Sequence, residues 1–229
     1  MKKIINLIIS KILFIFKSKI SQLDASSFLN NVSGVIHVGA NSGQERYEYN
    51  LYSLDVIWIE PIPKIFDKLK KNIKKYSKQK AYKYLLTNID NQDINFKIAN
   101  NAGQSSSILE LNQHKDIWPN IEYTSSIKLK SSTLKNVIKY EKIDIKKYQA
   151  LIMDTQGSEL LVLKGGSSLL KNFKYIKTEA ADFESYKECC LIKDLSKYLN
   201  KFGFKEIKKI KFATRKGGGN YFDILYERK

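Results

Sequence analysis

The sequence predicts an α/β protein: a mostly parallel seven-stranded sheet with helices on both faces, closed by a C-terminal antiparallel hairpin. Three observations predict it. Short apolar runs alternate with segments of helical periodicity from Val32 to Phe202. Two β-like runs then follow each other, joined by the turn-rich "ATRKGGGN". Glycines and carboxylates recur at the ends of several predicted strands: Gly39–Gly43, Glu60, Asp154 and Glu179. In a parallel sheet all these ends lie along one edge, where ligands bind.

Element by element, Val32–Val38 is a buried strand ended by Gly39, and Gly43–Leu51 fits a helix. "DVIWIE", Asp55–Glu60, is a second strand, stopped by Pro61 and Pro63. A lysine-rich amphipathic helix carries Ile65, Phe66, Leu69 and Ile73 at helical spacing. "AYKYLLTN" is a third strand. The stretch from Ile94 to about Lys130 reads as irregular, with short β-like pieces, inside an insertion at about 91–130. Thr133 caps a helix reaching about Lys139. "ALIMDTQG" is a fourth strand, backed by the helix "SELLVLKGGSSLL", and "YIKTEA" is a fifth. Glu188–Phe202 is a long helix closed by Gly203, before the strands "FKEIKKIKF" and "YFDILYER".

A chain of 229 residues with 43% hydrophobic residues can bury one full core. Residues 1–30 form an N-terminal helical segment and 31–229 the main domain. "MKKIINLIISKILFIFKSKI" has a basic start and an apolar run too short to span a bilayer, which needs about 20 residues. It fits either a helix packed on the domain or an amphipathic helix on an anionic membrane surface. The net charge of +17 attracts polyanions, yet only Arg46, Arg215 and Arg228 are arginines. Arginine is the usual reader of phosphates and guanine edges. The lysine excess is therefore equally a coding bias, and nucleic acid is not the expected partner. Cys189 and Cys190 are the only cysteines; sequence neighbours rarely pair, so a reducing, cytoplasmic compartment is expected.

"VIHVGANSGQERYEY" places two glycines between a strand and a helix. Such a turn suits an adenosine-type ligand, with Glu60 at the distance where an acid meets ribose hydroxyls. "GANSG" does not match the dinucleotide pattern G-x-G-x-x-G, and S-adenosylmethionine fits better. Its carboxylate is expected on the N–H groups near Asn41–Gly43 and its ribose on Glu60. A structural turn with no ligand is the alternative.

From Val32 onward the chain resembles the FkbM family of S-adenosylmethionine-dependent methyltransferases. "VIHVGANSG" is similar to the family's cofactor loop and "WIEPIP" to its ribose-binding strand end. "SSSIL" is similar to the serine-rich segment of its insertion, and "LIMDTQGSELLVLKGG" to its most specific motif. "YIKTEA" and the "GF" before the last hairpin also fit. The resemblance implies a Rossmann-like class I methyltransferase fold and O-methylation, often of a sugar hydroxyl in a surface glycan. It implies a cofactor set of Gly39, Ala40, Asn41, Ser42, Gly43, Glu60, Asn88 and Asp154. Two positions depart from it: His37 stands where many relatives carry an acid that helps hold the cofactor's ammonium, and Gln156 where many carry Glu. Asp154 or water would then take the first role, with His37 a satisfied strand-end histidine.

Transfer to a hydroxyl needs a base, commonly His, Asp or Glu. The candidates are His114, Asp154 and Glu179; His114 is equally a surface loop histidine. Asp182 flanks the acceptor side. Trp118 and Tyr186, with Tyr123 and Phe183, could stack on a sugar face or simply form core. Two or three of the carboxylates could hold Mg²⁺, which the sequence does not demand. Glu159, after Ser158, reads as a helix-capping residue. Two further function classes stay open: an RNA methyltransferase, suggested by the charge, and a non-catalytic, membrane-associated interaction protein on a methyltransferase-like fold.

Overall fold

The structure, a computed structural model, describes residues 26–229. Backbone contacts divide the chain into two units, Met1–Asn31 and Val32–Lys229. In the first, Ser27–Asn31 forms a short 3-10 turn. The expected amphipathic helix over residues 1–20 lies outside the described residues. Among the described residues no helix is long and apolar enough to cross a membrane.

The second unit is built on a seven-stranded sheet. Its strands are β1 (Gly34–Val38), β2 (Asp55–Ile59), β3 (Gln79–Tyr82), β7 (Ala150–Met153), β8 (Tyr175–Ala181), β9 (Phe204–Thr214) and β10 (Asn220–Arg228). Their order is β3-β2-β1-β7-β8-β10-β9. The first five are mutually parallel and β10 runs antiparallel to both β8 and β9, as the sequence predicts. The chain leaves β1 to one side for β2 and β3, then returns to β1's other side with β7. The strand order therefore reverses between β1 and β7, the position where open α/β sheets bind ligands.

Alternation along each strand sorts residues onto two covered faces. On one, Ile36, Ile57 and Leu151 meet α3 (Leu134–Tyr140), α4 (Glu159–Gly165) and α5 (Ile192–Asn200) through Leu134, Val162, Leu163 and Leu195. On the other, His37 and Trp58 meet Tyr49 of α1 (Arg46–Leu51). Each fully buried aliphatic side chain contributes about 1.5–3 kcal/mol. The edge strand β9 exposes Lys205, Lys209 and Lys211, charges that discourage pairing with another chain.

Several boundaries differ from expectation. The first helix starts at Arg46, because Asn41 (φ 44°) and Gly43 (φ 70°) wind the backbone left-handed before it. Pro63 opens the next helix, α2 (Pro63–Ile73), rather than only stopping the strand before it. The expected third strand is two, since β3 stays in the main sheet while β4 (Leu85–Leu86) joins a second one. The helix after β7 breaks at Gly165–Gly166 into α4 and the 3-10 turn Ser167–Asn172. The insertion is not irregular: β5 (Asp93–Ala99) and β6 (Tyr123–Ser132) pair antiparallel, with β4 parallel to β6. Between β5 and β6 the segment 100–122 carries the serine run and the short 3-10 turn Gln113–Asp116.

Candidate active site

At the reversal point two backbones touch. A Cβ on Gly39 (φ 79°) would lie 1.8 Å from the carbonyl oxygen of Asp154, so only glycine lets β1 and β7 end side by side. Gly39 N–H and Ala40 N–H both donate to Ile59 O, at 3.0 and 3.1 Å. Glu60 is 4% exposed and braces the turn: Oε2 accepts from Asn41 N–H and Oε1 from Ile62 N–H, each at 2.8 Å. Burial pushes its carboxyl up to about 7, against the pull of the two amides.

The glycine turn itself is internally satisfied. Ser42 N–H donates to Asn41 Oδ1 at 2.7 Å and Gly43 N–H to Ala40 O at 2.9 Å. Every amide from Gly39 to Gly43 thus has a protein partner, and the row of free N–H groups expected to hold a carboxylate does not exist in this geometry. The helix behind it, α1, is a six-residue segment and adds little dipole.

Asp154 follows β7 and Glu179 lies on the neighbouring β8. The two act on each other. Asp154 is pushed up to about 7 by burial, with Glu159, Glu45 and Asp223 adding repulsion and the Gln156 amide, 2.5 Å away, opposing it. Glu179 is raised well above the usual carboxylate range, first by Asp154 and then by burial. They line a cleft with Gln156, Ala181, Tyr186 and Tyr221. Among the described residues, no group of three or more His, Cys, Asp or Glu side chains is arranged to hold a metal ion.

The insertion roofs the strand ends. Asn41 Nδ2 donates to Ala102 O at 3.2 Å, tying the glycine turn to the insertion. Ser107 Oγ donates to Gln156 O at 2.8 Å and Tyr186 Oη to Gln156 Oε1 at 2.5 Å. Gln156, at φ 53°, is held in its left-handed turn by these contacts. The carboxylate of Glu159, 2% exposed, accepts from Thr155 N–H and Gly157 N–H at 3.0 and 3.2 Å. It therefore ties down the loop ahead of α4, instead of capping the helix by charge alone.

His114 is 4% exposed and is not a surface histidine. Its Nδ1 lies 2.8 Å from Tyr221 Oη and its Nε2 3.2 Å from Ser105 Oγ. Trp118 and Tyr186 pack on its ring, with centroids 4.6 and 5.1 Å away. Burial lowers its pKa to about 4. It joins the insertion to β10 and has no free nitrogen for an acceptor. Tyr186, 1% exposed, belongs to the same packing. Trp118 is half-buried. Tyr123 donates to Leu109 O, and Phe183 is buried beneath Arg215.

The remaining expected site residues fall elsewhere. Asn88 is exposed, and its Cα lies against Gly165, at the end of α4 that points away from the strand ends. Asp182 is exposed and accepts from Asn220 N–H at 2.7 Å, fastening β8 to β10. His37 is a satisfied strand-end histidine, 3.0 Å from Tyr49 Oη and stacked on Trp58. Cys189 and Cys190 are free thiols.

The sheet order, the close approach at its reversal point and the acidic strand ends define a class I methyltransferase fold. The methyltransferase FkbM domain family matches residues 37–206, and the chain belongs to that family. Solved structures agree on the fold. Magnesium protoporphyrin IX methyltransferase from Synechocystis PCC 6803, with bound S-adenosylmethionine, superposes with a TM-score of 0.50 at 11% identity, over 93% of this chain and 77% of that one. The methyltransferase domain of METTL16 gives 0.51 at 12% identity, over 89% and 64%. Sp1610 of Streptococcus pneumoniae, a candidate tRNA (m1A22) methyltransferase, gives 0.50 at 12% identity, over 90% and 69%. No curated protein matches the chain by sequence.

Proposed function

We propose that the protein is an S-adenosylmethionine-dependent O-methyltransferase acting on a sugar hydroxyl of a surface glycan or glycan precursor. The observation that carries the reading is the Asp154–Glu179 pair lining one cleft, with Asp154 next to the reversal point where Gly39 lets β1 and β7 end side by side. The residues present suit this cofactor through their acidic side chains, which match a donor bearing positive charge. The cofactor supplies a methyl group on an already activated sulfur, so the chain's task is to position the acceptor and remove its proton.

Glu179 is the proton acceptor in this reading. A carboxyl raised well above its ordinary range by a neighbouring acid is a far better base for a hydroxyl than an ordinary one, and a positioned base contributes about 10²–10⁴-fold. Asp154 keeps the cofactor side, between the glycine turn and Glu179. The proton taken from the acceptor is shared within the pair, which titrates as a unit. Holding the acceptor in line with the sulfur supplies a further part, since well-oriented pairs gain roughly 7–11 kcal/mol over a bimolecular encounter. Carboxylates that accept hydroxyl hydrogen bonds, and the half-buried Trp118, support a carbohydrate acceptor.

The basic, apolar sequence of residues 1–20 supports work in the cytoplasm at an inner-membrane surface. The test is a panel of nucleotide-linked sugars, glycans and RNAs incubated with methyl-labelled cofactor. Label on a carbohydrate oxygen, abolished by Glu179→Gln, is the expected result. Label on RNA alone would replace this acceptor with the polyanion suggested by the +17 charge.

A further inference from the structure

We propose that Glu45, acting with Asp154, binds the ammonium group at the amino-acid end of the methyl donor. The inference rests on the S-adenosylmethionine reading above and assigns a residue to it.

Glu45 follows the glycine turn and stands at the N-cap of α1, but its side chain makes no capping hydrogen bond. Its Oε2 is buried without a hydrogen-bond partner, the only such side-chain nitrogen or oxygen among the described residues. A carboxylate only accepts, so the missing partner is a donor. Leaving a buried charged acceptor unmet is expensive, and folded proteins rarely do it without a functional reason.

Three surrounding facts say what kind of donor is missing. First, acids crowd it: the charge of Glu45 is felt at Asp154, whose own neighbours include Glu159 and Asp223, and the other groups that feel it, His37 and Tyr49, are bonded to each other. A cationic donor relieves that repulsion, which a neutral one does not. Second, the turn beside it has no N–H to give an anion, because the amides of Gly39 through Gly43 are all engaged inside the protein. Third, no local side chain supplies the donor. Arg46 donates to Gly43 O at 2.8 Å, and His37, on the same face of the sheet, is engaged with Tyr49 Oη at 3.0 Å. A primary ammonium carries a positive charge and three N–H donors, enough to serve Glu45 and Asp154 together. It is also the group that the position of His37 leaves without an acid.

Calorimetry on the full chain tests this with two ligands that share the adenosine part, S-adenosylhomocysteine and 5′-methylthioadenosine. Only the first has the ammonium. Glu45→Gln keeps the shape and one acceptor but removes the charge. It should weaken S-adenosylhomocysteine binding at least tenfold, as loss of one member of a buried charge contact does. Methylthioadenosine affinity should change by less than about twofold, and the melting temperature should not fall. Unchanged S-adenosylhomocysteine affinity, or an equal loss for both ligands, overturns the role of Glu45 and leaves the cofactor reading standing. A wild-type chain that binds neither ligand overturns both.

Discussion

Gly39 and Asp154 meet backbone to backbone, so closely that a methyl group on Gly39 would sit 1.8 Å from the Asp154 carbonyl oxygen. The last residues of two parallel strands are locked together at the one place where the sheet's order reverses. Gly39→Ala must part these strands and also hold alanine at φ 79°. Strain of that kind costs about 1–3 kcal/mol before the clash is counted. Urea unfolding should show a loss of at least about 2 kcal/mol, with cofactor binding abolished; a wild-type midpoint would contradict the contact.

Glu60 has a duty that the ribose role alone does not include. Its carboxylate holds Asn41 N–H and Ile62 N–H, and removing it leaves both without a partner. An unmet buried amide costs about 1–3 kcal/mol. Glu60→Ala should therefore lower stability as well as weaken S-adenosylmethionine binding tenfold or more. Thermal melts and calorimetry on one preparation separate the two effects. Unchanged affinity would remove Glu60 from the cofactor site while leaving its bracing role intact.

His114 is the pin between the insertion and β10. His114→Ala strands the hydroxyls of Ser105 and Tyr221 and opens a void against Trp118 and Tyr186. A destabilisation of about 2–4 kcal/mol is expected. The ring's folded pKa is depressed to about 4 from an ordinary 6.5. Its contribution is thus present above pH 6.5 and lost as the pH falls toward 4. Wild-type stability should decline over that window and the His114→Ala variant should lack that part of the decline. Parallel curves would contradict the buried, neutral state.

The acidic pair gives the opposite slope. Asp154 is raised from 3.8 to about 7, so its contribution to stability is complete below about pH 4 and disappears as pH rises through 7. Asp154→Asn should be more stable than wild type at pH 8 and little different at pH 4. Activity runs the other way, because the base must be ionised: turnover should climb as the pH rises beyond the ordinary carboxylate range. Glu179→Gln should reduce turnover by about 10²–10⁴ with cofactor affinity retained. Full activity in that variant would exclude Glu179 as the base.

What was legible in the sequence was whatever depends on neighbours along the chain. The apolar run ending at Gly39 and the motif around Asp154 marked both strands and the edge they share. What depends on distant partners was not. β5 and β6 alternate Lys, Asn and Ser with Ile and Phe, which reads as irregular until the two half-buried strands are paired across 23 intervening residues. "AYKYLLTN" looks continuous because its break is set by two different sheets. His114 showed a titratable ring but not that Ser105 and Tyr221 occupy both nitrogens. Glu45 looked like one more polar helix residue, and only folding buries its oxygen without a donor.

The central claim is that the edge formed by Gly39, Glu60, Asp154 and Glu179 binds S-adenosylmethionine. Amide hydrogen exchange on the full chain, with and without the cofactor, tests it most directly. Protection concentrated at residues 39–45, 60–62 and 154–157 is the predicted result. Saturating cofactor that leaves exchange in all three segments unchanged would contradict the account.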